Sequence, residues 1–221
     1  MGAPALPKKG TRMLKIYGRA NSINVQKALW AADECGLAYE RTDVGGAFGG
    51  NDQPWYRSMN PNGVVPTIDD NGYTLWESNS IVRYFAATHA AGTLWPLEPR
   101  ARGEAERWMD WQLGTISAGM TTIFWGLIRT PPEKRDNEAI EKARVATAAL
   151  WQRLDGHLAN RPFVAGASFT MGDIPVGAMA YRWLHLPFKR DDLPAMPHLK
   201  AWYDRLTLRP AYTKHVVIPM T

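Results

Sequence analysis

The chain has 221 residues, 45% of them hydrophobic, enough for one large domain or two small ones sharing an interface. The net charge is +5 and the pI near 9.4, with no run of five or more basic residues; this argues against nucleic-acid binding and leaves only a weak positive field for small anions. A single cysteine, Cys35, excludes an intrachain disulfide and a site built on several thiolates. No apolar stretch has the length of a membrane span or a signal peptide, so a cytoplasmic protein is expected, with no metal and no membrane partner.

Residues 1–12 mix Gly, Pro and Lys without a period and read as a loose arm. Met13 to Tyr17 alternates as a strand does. Gly18 to Ser22 turns the chain. Val25, Ala28, Leu29 and Ala32 fall at helical spacing, so a helix is expected from about Ile23, stopped by Gly36. Cys35 falls in its last turn, a place for packing; a reactive thiol gains most at a helix start. Ala38 to Val44 is a second strand candidate, which makes a βαβ unit with a right-handed crossover. The glycine-rich run Gly45 to Gly50 lacks the Lys-Ser/Thr ending of a phosphate cradle. A short helix is expected over Pro54 to Met59.

Val64 to Ile68 reads as a third strand, with Pro66 at its start or edge because proline donates no ladder hydrogen bond. Asp70-Asn71-Gly72 is a hairpin turn, and Tyr73 to Trp76 a fourth, antiparallel strand. Glu77-Ser78 opens a helix that carries Ile81 and Phe85. The order βαβ then ββα describes a thioredoxin-like α/β domain with a mixed four-stranded sheet, expected over 13–92. A linker with Pro96 and Pro99 is expected over 93–103.

Beyond it strand signals vanish. Met109, Leu113, Ile116 and Met120; then Ile140, Ala143, Thr147, Leu150 and Leu154; then Leu199, Trp202, Tyr203 and Leu206 repeat every three or four residues. These amphipathic helices predict an all-α bundle over 104–221. Thr170 and Asp173 have capping-box spacing, with Phe169 and Ile174 placed for a hydrophobic staple, so Asp173 is expected to serve folding rather than chemistry.

Three groups together resemble the cytosolic glutathione S-transferases, with the bacterial eta and nu classes nearest. They are Asn62-Gly63-Val64-Val65-Pro66, Glu77-Ser78, and Ser168 to Asp173. The resemblance runs from about Met13 to Leu208. It implies that the Val65-Pro66 bond is cis and that Val65 pairs its backbone with the cysteinyl unit of glutathione, as an added strand does. It implies that Glu77 accepts the ligand's α-ammonium, and that Ser78, at a helix N-terminus, takes the γ-glutamyl carboxylate. Asn51 and Gln53 are candidates for the glycyl end. A purely structural reading of Ser78 as a cap and Glu77 as a dipole partner stays open.

The thiol-activating position is where such proteins vary. Counting back from Val25, Arg19 holds the place of the catalytic serine in theta, delta and zeta classes, Asn21 that of the beta-class cysteine and nu-class asparagine, and Ser22 that of an eta-class serine. Ser22 and Asn21 are expected to donate to a thiolate, with Arg19 as a nearby cation; Ser22 can also be read as a plain helix cap. The second substrate is expected in the cleft between the halves, lined by Trp108, Trp111, Thr115, Thr122 and Trp125, with Arg182 adding charge. The implied activity is conjugation of glutathione, the co-substrate, to small hydrophobic electrophiles. Glutathione-dependent reduction of peroxides or disulfides, and a non-catalytic binding module, are the alternatives. A homodimer is implied, with Arg83 as a candidate contact.

Overall fold

The structure, a computed structural model, describes residues 13–221. The expected arm over 1–12 lies outside the described residues.

Four short strands form one mixed sheet: β1 (Leu14–Tyr17), β2 (Tyr39–Thr42), β3 (Thr67–Asp70) and β4 (Tyr73–Trp76), in the order β2-β1-β3-β4. β1 and β2 are parallel, and the other two pairs are antiparallel. Thus β1 lies inside the sheet, with Ile16 buried opposite Ile68. β3 starts one residue beyond Pro66, later than the sequence suggests, because Val64 and Val65 stay out of the ladder. Asn71 and Gly72 both have positive φ, 56° and 93°, the geometry of a tight hairpin.

Helix α1 (Ile23–Glu34) buries every residue from Val25 to Ala32 because it is covered on two sides. It packs on α3 (Ser78–His89) within the sheet half, and on the helices of the second half. Trp30, fully buried, makes much of that second contact, with ring centroids 4.7 Å from Tyr212 and 5.6 Å from Phe169. The short helix α2 (Pro54–Arg57) sits in the approach to β3.

The expected linker is shorter than 93–103. Pro99 occupies the first turn of α4 (Pro99–Trp111), where its missing N–H costs nothing, and the Glu98 carboxylate accepts from the Ala101 amide at 2.8 Å. From there one helical rod runs to Arg129: α4, a π-helical segment Gln112–Ile116, α5 (Ser117–Phe124), and a second π-helical segment Trp125–Arg129. The π turns shift the helical register. Leu113, expected inside, is 55% exposed, and Gln112 takes the buried place.

Helices α6 (Asn137–Leu158), α7 (Asp173–His185), α8 (Pro197–Thr207) and α9 (Pro210–His215) complete the bundle. α7 is central, with Asp173 to Ala180 buried without interruption. The Asp173 carboxylate accepts from Thr170 N at 3.0 Å, Val164 N at 2.9 Å and Trp202 Nε1 at 2.9 Å, which confirms its folding role. One arm of the expected capping box differs: the Thr170 hydroxyl accepts from the Gly172 amide at 3.3 Å, while the Asp173 amide donates to the Thr170 carbonyl. Burial pushes the Asp173 carboxyl up to about 6 against all of these donors.

Candidate active site

Three chain ends converge at the start of α1: the β1–α1 turn, the approach to β3, and the first residues of α3. Gly18 (φ 152°) lets them meet. A Cβ there would fall 2.4 Å from a Val25 methyl and 3.2 Å from the Val65 Cβ, so only glycine lets Val65 lie against the first turn of α1. The Ser78 hydroxyl, 3.3 Å from Asn24 Oδ1, ties the start of α3 to the same turn.

The approach loop is held from behind. The Val64 carbonyl accepts from Tyr56 Oη at 2.7 Å and Asn60 Nδ2 at 2.8 Å, and both side chains also bond Thr67. Asn51 Nδ2 donates to the Gly63 carbonyl at 2.7 Å. The Val65-Pro66 peptide is cis. Among the described residues, neither the N–H nor the C=O of Val65 has a backbone partner. Asn51 therefore spends its amide on this loop, whereas Gln53, exposed at the start of α2, contacts only the neighbouring Asp52.

Glu77 has φ 69° and ψ 110°, a left-handed conformation that costs a non-glycine residue about 1–3 kcal/mol. Its carboxylate is exposed and makes no hydrogen bond or ion pair with any described residue, and it does not cap α3. Ser78 is buried and paired with Asn24, so it too is no simple cap.

At the thiol corner, Ser22 occupies the N-cap position of α1 in an extended conformation, yet its side chain makes no capping hydrogen bond. Among the described residues the hydroxyl has no hydrogen-bond partner, and it lies beside a helix N-terminus, where a negative charge is favoured. Asn21 differs from the expectation. Its Nδ2 gives one of its two N–H donors to the Thr221 hydroxyl, and its Oδ1 is buried without a partner among the described residues. Tyr17 turns away: its ring lies against Trp55 at 5.8 Å and Tyr56 at 6.5 Å. Cys35 lies at the far end of α1, where burial and the Glu34 charge raise its thiol to about 11 and keep it protonated.

The Arg19 side chain lies across the Gly45-Gly46 turn. A Cβ on Gly46 (φ 61°) would come within 2.9 Å of its Nε, and a Cβ on Gly45 would touch both Arg19 Nη1 (3.5 Å) and a Val65 methyl (3.3 Å). The glycine-rich run is thus a bed for this arginine next to Val65.

The expected second-substrate wall separates into two groups. Trp108 lies edge-on to Trp111 at 5.2 Å and beside His157 at 4.7 Å, and Trp111 continues to Trp151 at 6.2 Å; both indoles are half-buried and pack against the core of the helical half. Thr115 and Thr122 are exposed on the rod, and Thr122 bonds back to the Ala118 carbonyl. Arg182 and Trp125 come together by way of two residues the sequence did not point to. The Arg182 guanidinium covers the Phe124 ring at 3.7 Å, and that of Arg129 lies 5.6 Å from Phe124 and 6.0 Å from Trp125, itself 58% exposed. A cavity of about 540 Å³ near the C-terminal end of α1, lined by Asp33, Glu34, Arg209 and Lys214 among others, contains none of these residues, and its charges are paired with one another.

Below the site, Lys27 is fully enclosed. Its Nζ donates to Gln112 Oε1 at 2.8 Å and Asn79 Oδ1 at 3.4 Å, and Asn79 Nδ2 donates to the Met109 carbonyl at 2.9 Å. Burial, then the Arg182 charge, pull its pKa down to about 7, against the opposing pull of Glu77. The candidate dimer contact Arg83 is occupied within the chain by Asp110.

Comparison with known proteins gives the family of the chain. Residues 21–88 match the family model for the glutathione S-transferase N-terminal domain, and residues 137–205 that for its C-terminal domain. Glutathione S-transferase GstB of Escherichia coli K12 is 41% identical over 211 residues, 95% of this chain and 100% of that protein. Disulfide-bond oxidoreductase YfcG of the same strain is 28% identical, over 90% of this chain and 92% of that one. The crystal structure of a theta class glutathione S-transferase from Xanthomonas axonopodis pv. citri with glutathione bound superposes with a TM-score of 0.90 at 49% identity, covering 94% of this chain and 99% of that one. The chain belongs to the glutathione S-transferase family.

Proposed function

We propose that the protein binds glutathione along the Val65 edge and uses Ser22 to hold its sulfur as a thiolate for attack on small electrophiles. Glutathione supplies the nucleophilic sulfur. The Val65 N–H and C=O, outside the sheet ladder and without a backbone partner among the described residues, pair with the cysteinyl backbone. Glu77 accepts the α-ammonium. Ser78, at the first turn of α3, faces the γ-glutamyl carboxylate with backbone amides on the positive end of the helix. Gln53 is the remaining candidate for the glycyl end, since Asn51 holds the loop.

The single observation that carries the reading is the Ser22 hydroxyl, free of any capping bond beside the Val65 and Glu77 frame. A thiol of pKa about 8.5 is mostly protonated at neutral pH. The Ser22 hydroxyl, the α1 N-terminus and the Arg19 cation each favour the charged form, and together they lower that pKa. Asn21 joins them through the second N–H of its amide, the first being held by Thr221. The working form is a homodimer of a cytoplasmic enzyme, and its electrophile lies against Trp125 and Arg182.

Steady-state assays with an aryl halide, a hydroperoxide and a mixed glutathione disulfide test the assignment. Conjugation of the aryl halide with release of halide is expected to lead. Glutathione binding with no turnover of any of the three contradicts it.

A further inference from the structure

Three guanidinium groups, two of them on the Phe124 ring, have no counter-charge among the described residues. Arg19 enters from the β1–α1 turn, Arg129 from the second π-helical segment and Arg182 from α7. None of the three side chains has a hydrogen bond or salt bridge to a described residue, and residues 1–12 contain no Asp or Glu. The charges that bear on Arg182 are those of Arg129 and Arg19. With burial as the larger cause, they bring its pKa down to about 10. Arg19 is likewise lowered by burial and then by Arg129. Elsewhere in the chain the comparable buried arginine is neutralised: Arg144 is paired with both Glu141 and Asp192.

Drawing like charges together in a partly enclosed cleft costs stability unless an anion completes the set. The candidate groups for the two glutathione carboxylates lie on the sheet half, at Ser78 and Gln53, whereas Arg129 and Arg182 come from the helical half and flank Phe124 and Trp125. The exposed Trp125 indole offers a face to a flat ring; Arg129 beside it and Arg182 on the neighbouring Phe124 suit a carboxylate or sulfonate on that ring.

We propose that the second substrate is a flat aromatic electrophile bearing a carboxylate or sulfonate, held by Arg129 and Arg182 with Trp125 beneath the ring and Arg19 at the end nearest the sulfur. This rests on the conjugation reading above. In the reaction the thiol proton passes to solvent, the thiolate sulfur bonds to the ring carbon that carries halide, and the halide leaves with the electron pair of its bond. No oxidant or reductant is needed.

The test compares 4-chloro-3,5-dinitrobenzoate with its carboxamide, each divided by its uncatalysed rate with glutathione. The wild type is expected to favour the carboxylate by at least tenfold in kcat/KM. Arg182→Met, and separately the exposed Arg129→Gln, are each expected to lower the carboxylate-to-amide ratio about tenfold, with the loss in the KM for the benzoate and not in that for glutathione. A wild-type ratio near one, or variants whose ratio stays within twofold of wild type, overturns the anionic-substrate proposal while conjugation stands. A rise confined to the glutathione KM also overturns it, by assigning the arginines to the tripeptide. Turnover of neither compound overturns the conjugation reading together with this one.

Discussion

Lys27 Nζ, on the first helix of the sheet half, donates at 2.8 Å to Gln112 Oε1, at the π turn of the long rod in the helical half. This buried bond, extended through Asn79 to the Met109 carbonyl, ties the start of α3 to the second domain directly beneath Glu77 and Ser78. Helices α1 and α3 and the long rod therefore share one polar support.

The support gives a pH signature. Burial brings the Lys27 pKa down to about 7 in the folded chain, against its ordinary 10.5 when unfolded. Below about 7 both states hold the proton and the full cost of burying the cation is present. As pH rises from 7 toward 10.5 the folded state releases the proton first, so the unfolded state binds more protons and stability rises. Lys27→Met is expected to remove that slope. Urea melts between pH 7 and 9 compare the two proteins, a window chosen because the raised Cys35 thiol and tyrosine hydroxyls act in the opposite sense at higher pH. Parallel slopes for the two proteins would contradict the assignment.

Glu77 couples strain to binding. Glu77→Gln is expected to weaken glutathione binding by about 1–3 kcal/mol, the scale of a lost charge-assisted hydrogen bond. Glu77→Gly relieves the positive φ and is expected to raise stability by about 1 kcal/mol, after allowing for the entropy glycine adds to the unfolded chain. Calorimetric titration and thermal melts on both variants check the pair. A Glu77→Gly protein that is less stable, or a Glu77→Gln protein of unchanged affinity, would remove Glu77 from this role.

Asp173 serves folding alone. Asp173→Asn replaces a carboxylate oxygen with a donor that faces the donors of Val164, Thr170 and Trp202. A cost of about 3 kcal/mol is expected, lowering Tm by roughly 6–12 °C for a chain of this size. At a temperature where the variant is folded, its KM for glutathione should match the wild type. A raised KM with an unchanged Tm would reverse the reading.

How much was legible depended on how local each feature is. The cis Val65-Pro66 bond, the helix opening at Glu77-Ser78 and the Asp173-to-Thr170 arm of the cap carry local sequence signals, and the structure has these features at those positions. The cleft was not legible. Trp108 and Trp111 looked like pocket walls, but which face of α4 turns inward is decided by Trp151 on α6. Gln112 and Arg129 owe their positions to π turns, which carry no signal in a three-to-four repeat. Asn21 is engaged by Thr221, at the other end of the chain, a contact no spacing rule reaches. The run Gly45 to Gly50 was visible as glycine-rich, but its reason, the Arg19 side chain lying across Gly46, needs the fold.

Ser22→Ala is expected to lower kcat/KM about 10²-fold, the effect of losing one donor to a developing anion, while Tm moves by no more than about 2 °C because the hydroxyl caps nothing. The most direct test is the ultraviolet absorbance of thiolate in the glutathione complex, titrated between pH 5 and 9 in wild type and Ser22→Ala. The account predicts a thiolate that ionises near neutrality in the wild type and returns toward the free value of about 8.5 in the variant, with glutathione still bound. A wild-type complex whose thiol ionises like free glutathione, or a variant with the same titration as wild type, would contradict it.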